Sequence, residues 1–140
     1  MERAFGQTEL TLDGDLRELA RLALWIGRFC RSHSLDENVE FHLNLALEEL
    51  FANAIGHGGC KDLPAAVSIR LSLAGREILA EFADRGRPFD PADAPPRDLG
   101  ASLEERGSGG LGLHFVRQIA CHIEYHRVNG WNRIALRLAI

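Results

Sequence analysis

The chain has 140 residues, of which 46% are hydrophobic and 26% are charged, and its formal net charge is −4 at pH 7. That length suits a single domain with a substantial buried core. The acidic balance and the scattered arginines disfavour nucleic acid as a direct partner, because no basic cluster is available to neutralise phosphates. No apolar run approaches the roughly 20 residues that a membrane span needs.

The cysteines and the N-terminal residues indicate the compartment. Cys30, Cys60 and Cys121 form an odd set without paired spacing, which disfavours a disulfide framework and favours a reducing environment. The first residues lack the charged-then-apolar pattern of a signal peptide. The sequence therefore predicts a cytoplasmic protein with no membrane partner.

The first half of the chain predicts one strand and two helices. Polar and apolar residues alternate over residues 7–12, as in a half-buried strand. Asp15 is a good N-cap for a helix that runs to about residue 33, and Ser34 or Asp36 opens a second helix that runs to about residue 55. The predicted apolar stripes are Leu16, Leu19, Ala23, Ile26 and Cys30 on the first helix, and Leu43, Leu47, Leu50 and Ala54 on the second.

The second half predicts two hairpins separated by a long loop and a short helix. The predicted elements are strand 67–73, strand 77–83, loop 91–108, helix 111–120, strand 122–128 and strand 132–138. Ala74-Gly75 and Asn129-Gly130 are the predicted hairpin turns, and a loop as long as 91–108 is usually functional or mobile. The fold class predicted is α+β, a two-layer α/β sandwich with a mainly antiparallel sheet and helices on one face.

Glu49 and Asn53 lie four residues apart on the second predicted helix, so both project from one face. For an isolated pair of this kind, an exposed glutamate and an incidental asparagine are the commonest explanation. In the functional interpretation, Glu49 accepts a proton from an attacking hydroxyl. The Asn53 side-chain oxygen contacts Mg²⁺, which often takes only one or two protein ligands. Two further motifs that follow in order favour this interpretation.

Asp84 ends a predicted strand, and Gly86 permits unusual backbone angles and the close approach of a ligand. A carboxylate at a strand end can accept the exocyclic amine of adenine, whereas guanine presents a carbonyl there. The alternative is an ordinary Asp-x-Gly turn. The Pro88-Phe89-Asp90 segment that follows favours the functional interpretation.

The third motif is the glycine-rich stretch Gly107-Ser108-Gly109-Gly110-Leu111-Gly112-Leu113. It precedes a predicted helix, so backbone N–H groups and the positive helix end could hold phosphates. It is not a P-loop, because no Gly-Lys-Ser/Thr follows, and no βαβ unit supports a Rossmann site. The three motifs together supply a base, a neutral metal ligand, a purine reader and a phosphate cradle, which describes an ATP site.

Taken together, these segments resemble the GHKL ATPase superfamily, the ATP-binding fold that gyrase, histidine kinases and mismatch-repair ATPases share. Glu49-x-x-x-Asn53 resembles its N box, Asp84-x-Gly86 its first glycine box, and Gly110-Leu111-Gly112-Leu113 its second. The segments 49–57, 84–91 and 110–117 are more similar still to the stand-alone anti-sigma factor serine/threonine kinases of bacterial partner-switching systems. The resemblance spans nearly the whole chain.

The resemblance implies a single ATP-binding kinase domain over residues 1–140, of the Bergerat type, with an ATP lid at about residues 91–109. Glu49 would activate a serine or threonine hydroxyl on a STAS-domain anti-sigma antagonist, and the released kinase would sequester a sigma factor. The implied cofactors are ATP and Mg²⁺, with Asn53 as the metal ligand. The implied nucleotide-binding residues are Asn53, His57, Asp84, Gly86, Pro88, Phe89, Gly107, Ser108, Gly109, Gly110, Leu111, Gly112 and Leu113.

Several alternatives stay open at this point. The residues alone favour ordinary structural roles for the histidines, because none has zinc-like spacing. Ser108 stands where many relatives carry glycine or a basic residue, so transfer would be slow or Arg106 would substitute. The chain could instead be a nucleotide-gated partner-binding protein without phosphotransfer, or a detached histidine kinase catalytic domain. A homodimer is suggested by the resemblance only.

Overall fold

The computed structural model describes residues 7–88 and 110–140 of the chain. A short 3₁₀ helix, Leu16–Glu18, precedes α1. The main elements within those ranges are β1 (Thr8–Leu12), α1 (Leu19–Ser32), α2 (Glu37–Gly56), β2 (Val67–Ala74), β3 (Glu77–Asp84), α3 (Gly110–Ile119), β4 (His122–Val128) and β5 (Trp131–Ala139). Their order and type are those predicted from the sequence. The predicted lid, about residues 91–109, lies outside the described residues.

The five strands form one antiparallel sheet in the order β1-β2-β3-β5-β4. The last strand, β5, inserts between β3 and β4, so it pairs with both. This register sets Asp84, the last residue of β3, directly opposite Asn132 at the start of β5. Two polar residues that are 48 positions apart in the sequence are therefore cross-strand neighbours.

The period of two along each strand decides which side chains face the helices. On β5 the even-numbered residues are buried and the odd-numbered residues are more exposed, and β3 buries Ile78, Ala80, Phe82 and Asp84. One face of the sheet thus packs against the helices, while the other is covered by no helix of the described residues, as antiparallel sheets allow. Because Asp84 shares the parity of the core residues, its carboxylate points into the domain.

The start of α1 differs in detail from the prediction. Asp15 does act as a cap, since its side chain accepts a hydrogen bond from the Arg17 backbone N–H, but the turn that follows is 3₁₀ and the α-helix begins at Leu19. The prediction of Leu16 as a core residue is wrong, because this residue lies in the 3₁₀ turn and is 53% exposed. Leu22 and Phe29 are buried on α1 as well as Ile26 and Cys30.

Of the two predicted starts for α2, the structure has Asp36. Its side chain accepts a hydrogen bond from the Val39 backbone N–H at 2.9 Å, whereas Ser34 lies in the left-handed region with φ 54°. The predicted stripe of Leu43, Leu47, Leu50 and Ala54 is buried against α1 and the sheet. No helix in residues 7–88 or 110–140 is long and apolar enough to cross a membrane.

Candidate functional site

Glu49 and Asn53 share one face of α2, with their side chains in contact. Asn53 is only 6% exposed, and its Nδ2 donates a hydrogen bond to Glu49 Oε1 at 3.3 Å. With the amide N–H₂ directed at Glu49, the Asn53 Oδ1 accepts no hydrogen bond from the described residues. Asn53 therefore offers a neutral oxygen of the kind that Mg²⁺ takes as a ligand.

Glu49 is half-buried, and this burial raises the pKa of its carboxyl above the usual value. The hydrogen bond from Asn53 and the nearby His57 oppose the shift. A carboxylate whose pKa is raised towards neutrality is a better proton acceptor than an ordinary surface glutamate. His57 itself is exposed at the C-terminal cap of α2, where its backbone N–H donates to the Asn53 carbonyl at 2.8 Å.

Asp84 is 5% exposed at the end of β3, and its donors converge on one of its two oxygens. Its Oδ1 accepts hydrogen bonds from the Gly86 backbone N–H at 2.8 Å and from Asn132 Nδ2 at 3.0 Å. The Cys60 thiol lies 3.9 Å from the same oxygen. Oδ2 receives no hydrogen bond from the described residues. This oxygen is thus available to accept a hydrogen bond from a ligand.

Burial raises the pKa of Asp84 above its usual value. The hydrogen bonds from Asn132 and Gly86 and the positive charge of Arg127 lower it in opposition. The network around this carboxylate therefore favours its ionised form against the cost of burial.

Gly86 is needed for space and not for an unusual backbone angle. It does not share the positive φ of Gly59, Gly75 and Gly130. A Cβ at this position would lie 2.8 Å from Asp84 Oδ1 and 2.8 Å from the Gly58 carbonyl oxygen. The same Gly58 carbonyl accepts a hydrogen bond from the Arg87 backbone N–H at 2.9 Å. The turn after β3 therefore packs against the end of α2 with no room for a side chain.

Asn53 and Asp84 line the same small cavity, of about 20 Å³. Its walls are Leu50, Asn53, Ala54, Gly58, Asp84, Arg87, Asn132 and Ile134. That volume is roughly one water molecule, so the cavity suits the polar edge of a ligand and not a whole nucleotide. A larger groove, of about 430 Å³, lies on the open face of the sheet and has none of the predicted site residues in its lining. Because the Asn53 amide and the Asp84 carboxylate both line the smaller cavity, we take it as the candidate site.

Only part of the predicted site lies within the described residues. Phe89, Gly107, Ser108 and Gly109 lie outside the described residues, and Pro88 ends the first described range, where it is exposed. Residues 110–113 form the first turn of α3, and their role in holding phosphates stays a prediction. Within residues 7–88 and 110–140, no group of three or more histidine, cysteine or acidic side chains is placed to hold a metal ion.

The prediction from sequence missed Asn132, which is 1% exposed and directly hydrogen-bonded to Asp84. A signal for it was present in the strand pattern. Asn132 falls on the same parity as Ile134, Leu136 and Leu138, so the period of two already placed a polar residue on the apolar face of β5. Tyr125 and Arg127, which donate hydrogen bonds to Asn132 Oδ1 at 2.7 and 3.1 Å, were also missed, because these contacts depend on the pairing of β4 with β5.

Comparison with known proteins identifies the family. A family model described as a histidine kinase-like ATPase domain matches residues 12–138. The chain is 30% identical over 112 residues to the serine/threonine-protein kinase BtrW of Bordetella bronchiseptica. That match covers 80% of this chain and 79% of BtrW.

Solved structures share the fold at lower sequence identity. The structure of the RsbU and RsbW domains of Rv1364c from Mycobacterium tuberculosis matches with a TM-score of 0.70 and 16% identity, and covers 95% of this chain. This chain spans about a third (32%) of that solved chain. The SiaB-SiaC complex from Pseudomonas aeruginosa matches with a TM-score of 0.55 and 12% identity, over 95% of this chain and 89% of that one. These likenesses confirm the predicted fold class.

Proposed function

The chain belongs to the histidine kinase-like ATPase domain family, and we propose that it is an ATP-dependent serine/threonine protein kinase that acts as an anti-sigma regulatory factor. The relative BtrW, which is named a serine/threonine-protein kinase, supports the kinase activity. The observation that carries the proposal is the half-buried Glu49, whose partner Asn53 lines the cavity beside Asp84.

The nucleotide is proposed to enter with its adenine amine directed at Asp84. Oδ2 of this carboxylate is free to accept the amine, while Oδ1 is held by donors from the protein. The oxygen of Asn53 would hold Mg²⁺, which would neutralise charge on the phosphates. The glycine-rich residues 107–113 are proposed to hold the phosphates at the start of α3.

Glu49 is the proposed proton acceptor. As the bond forms between the γ-phosphorus and the substrate hydroxyl oxygen, the bond to the ADP oxygen breaks, and the hydroxyl proton passes to the Glu49 carboxylate. The raised pKa of Glu49, caused by its burial, suits this role,. A protein that only sensed nucleotide would need no base at this position.

The proposed substrate is a serine or threonine of a STAS-domain anti-sigma antagonist, and the proposed second partner is a sigma factor. The likeness to the RsbW domain and to the SiaB-SiaC complex supports a partner protein of this general kind. A cytoplasmic location and a homodimer belong to the same proposal. The alternative is a nucleotide-gated binding protein without phosphotransfer.

The test compares Glu49→Gln with the wild type and with Glu48→Gln as a matched control. Glu48 is the neighbouring half-buried glutamate, and it accepts a hydrogen bond from Asn44 at 3.4 Å, away from Asn53. Each protein is incubated with Mg-ATP and lysate from its own cells, and new phosphosites are mapped by mass spectrometry. ADP affinity is measured in parallel for all three proteins.

The proposal predicts a new phosphoserine or phosphothreonine on a small STAS-like protein with the wild type and Glu48→Gln, and its loss with Glu49→Gln at unchanged ADP affinity. If Glu49→Gln phosphorylated the same site at the wild-type rate, Glu49 would not be the proton acceptor. If no protein produced a new phosphosite while ADP binding was intact, the nucleotide-gated binding protein would be favoured. An acid-labile, base-stable phosphohistidine would instead indicate a histidine kinase.

A further inference from the structure

Asn132 is the buried centre of a hydrogen-bond network that reaches from the edge strand β4 to Asp84. Its Nδ2 donates to Asp84 Oδ1 at 3.0 Å and to the Arg87 carbonyl at 2.6 Å. Its Oδ1 accepts hydrogen bonds from the Tyr125 hydroxyl at 2.7 Å and from Arg127 Nη1 at 3.1 Å. Both ends of the amide are therefore engaged.

The partners of the Asn132 amide admit only one orientation. Arginine has donors and no acceptor, so the end of the amide that faces Arg127 must be the oxygen. If the amide were rotated by 180°, its N–H₂ would face the Arg127 guanidinium, and its oxygen would face the Asp84 carboxylate. The residues on β4 thus fix the N–H₂ end of Asn132 on Asp84 Oδ1.

Arg127 also connects β4 to the turn that follows Asp84. Its Nη1 donates to the Gly86 carbonyl at 2.6 Å, while the Gly86 N–H donates to Asp84 Oδ1 at 2.8 Å. The position of this turn is therefore determined partly from an edge strand that lies two places away from β3 in the sheet.

We propose that Tyr125 and Arg127, acting through Asn132, are positioning residues that select Oδ2 of Asp84 as the acceptor offered to a purine. With Oδ1 held by the protein, the free oxygen meets the exocyclic amine of adenine but faces the carbonyl oxygen of guanine. The network would thus set the preference for adenine over guanine nucleotides. This inference rests on the proposed function of Asp84 as the purine reader.

The network also affects the ionisation of Asp84. Among the described residues, the titratable or charged groups that face it are Cys60 after α2, Arg127 on β4, and Arg87 in the cavity lining, while α2 contributes the neutral Asn53. Burial raises the pKa of Asp84, and the Asn132 hydrogen bond lowers it in opposition. Weakening that hydrogen bond should therefore raise the pKa further, so that ADP binding begins to fail at a higher pH on acidification.

The test uses the full chain with Tyr125→Phe, which removes one hydroxyl and keeps the ring. Asn132→Leu is the stronger variant, and His126→Gln, at an exposed position on the same strand, is the control. ADP and GDP affinities are measured by calorimetry across pH, and the Asp84 carboxyl is titrated by carbon NMR in the nucleotide-free protein. We expect Tyr125→Phe to weaken ADP binding by about 3- to 10-fold, the usual size of one hydrogen bond, with GDP affinity unchanged.

The nucleotide affinities and the Asp84 titration together distinguish a failure of the positioning role from a failure of the proposed function. A lower ADP-to-GDP affinity ratio and a higher Asp84 pKa in Tyr125→Phe, with neither change in His126→Gln, would support the positioning role. Unchanged Asp84 titration in both Tyr125→Phe and Asn132→Leu would overturn it, whether or not nucleotide binds. A wild type that binds no adenine nucleotide would overturn the proposed function, and the NMR titration would still decide whether the network controls Asp84.

Discussion

Asp84→Asn separates the proposed role of Asp84 in binding from its role in the fold. The substitution keeps the shape of the side chain and can keep an oxygen at the Oδ1 position, where Gly86 and Asn132 donate. It replaces the free Oδ2 acceptor with an N–H₂ donor. The adenine amine would then face a donor and lose a hydrogen bond to a charged group, which is worth about 1.5–3 kcal/mol. The expected result is ADP binding weakened by about 10- to 150-fold.

The same substitution should stabilise the protein at neutral pH. Burial raises the pKa of Asp84 in the folded state above its ordinary value, so the folded protein binds the proton more tightly than the unfolded chain does. The free energy of unfolding of the wild type therefore falls as pH rises from about the unfolded pKa to the folded pKa of Asp84. Above the folded pKa this loss of stability is complete. Asparagine has no proton to lose, so Asp84→Asn should become more stable than the wild type as pH rises between the two pKa values, and it should stay more stable at pH 7.

Calorimetry with ADP and thermal unfolding at several pH values measure the two effects. Asp36→Asn is the control, because asparagine is as good an N-cap as aspartate and Asp36 caps α2 away from the cavity. This control should change neither ADP affinity nor stability appreciably. If Asp84→Asn bound ADP as tightly as the wild type does, Asp84 would not be the purine reader. A loss of stability at pH 7 would contradict the account of its buried charge.

Two further predictions concern residues beside Asp84. Gly86→Ala should destabilise the turn after β3 and weaken ADP binding at least about 10-fold, because the new Cβ would lie 2.8 Å from Asp84 Oδ1 and from the Gly58 carbonyl oxygen, so that the backbone must shift,. Calorimetry with ADP and thermal unfolding measure the two effects. An ADP affinity equal to that of the wild type would contradict this prediction. Asn53→Ala should abolish most of the increase in ATP affinity that Mg²⁺ produces, which titrations with Mg²⁺ and with a chelator measure. An unchanged response to Mg²⁺ would exclude Asn53 as the metal ligand.

Local patterns explain why the elements could be predicted from the sequence. The alternation over residues 67–73 and the Asn129-Gly130 turn are features of a few adjacent residues, and both form as predicted. The first hairpin also forms, but its turn lies one residue later than predicted, at Gly75-Arg76, because Ala74 is the last residue of β2 and pairs with Glu77. The exposure of Leu16 could not be predicted in the same way. Whether the first turn after Asp15 is 3₁₀ or α depends on the chain it packs against, and the apolar spacing is compatible with either.

Long-range pairing explains what the sequence did not reveal about the site. Glu49 and Asn53 are one helical turn apart, so their shared face could be predicted from spacing alone. The contact between Asp84 and Asn132 depends on β5 inserting between β3 and β4, and no local pattern specifies that order. Tyr125 and Arg127 could be assigned a role only after this register was known.

The most direct test of the central claim is a crystal structure of the protein with Mg²⁺ and a non-hydrolysable ATP analogue. We expect the adenine amine within hydrogen-bonding distance of Asp84 Oδ2, Mg²⁺ coordinated by Asn53 Oδ1, and the γ-phosphate on the side of α2 that carries Glu49. An analogue bound in the groove on the open face of the sheet, or one with its adenine away from Asp84, would contradict the account.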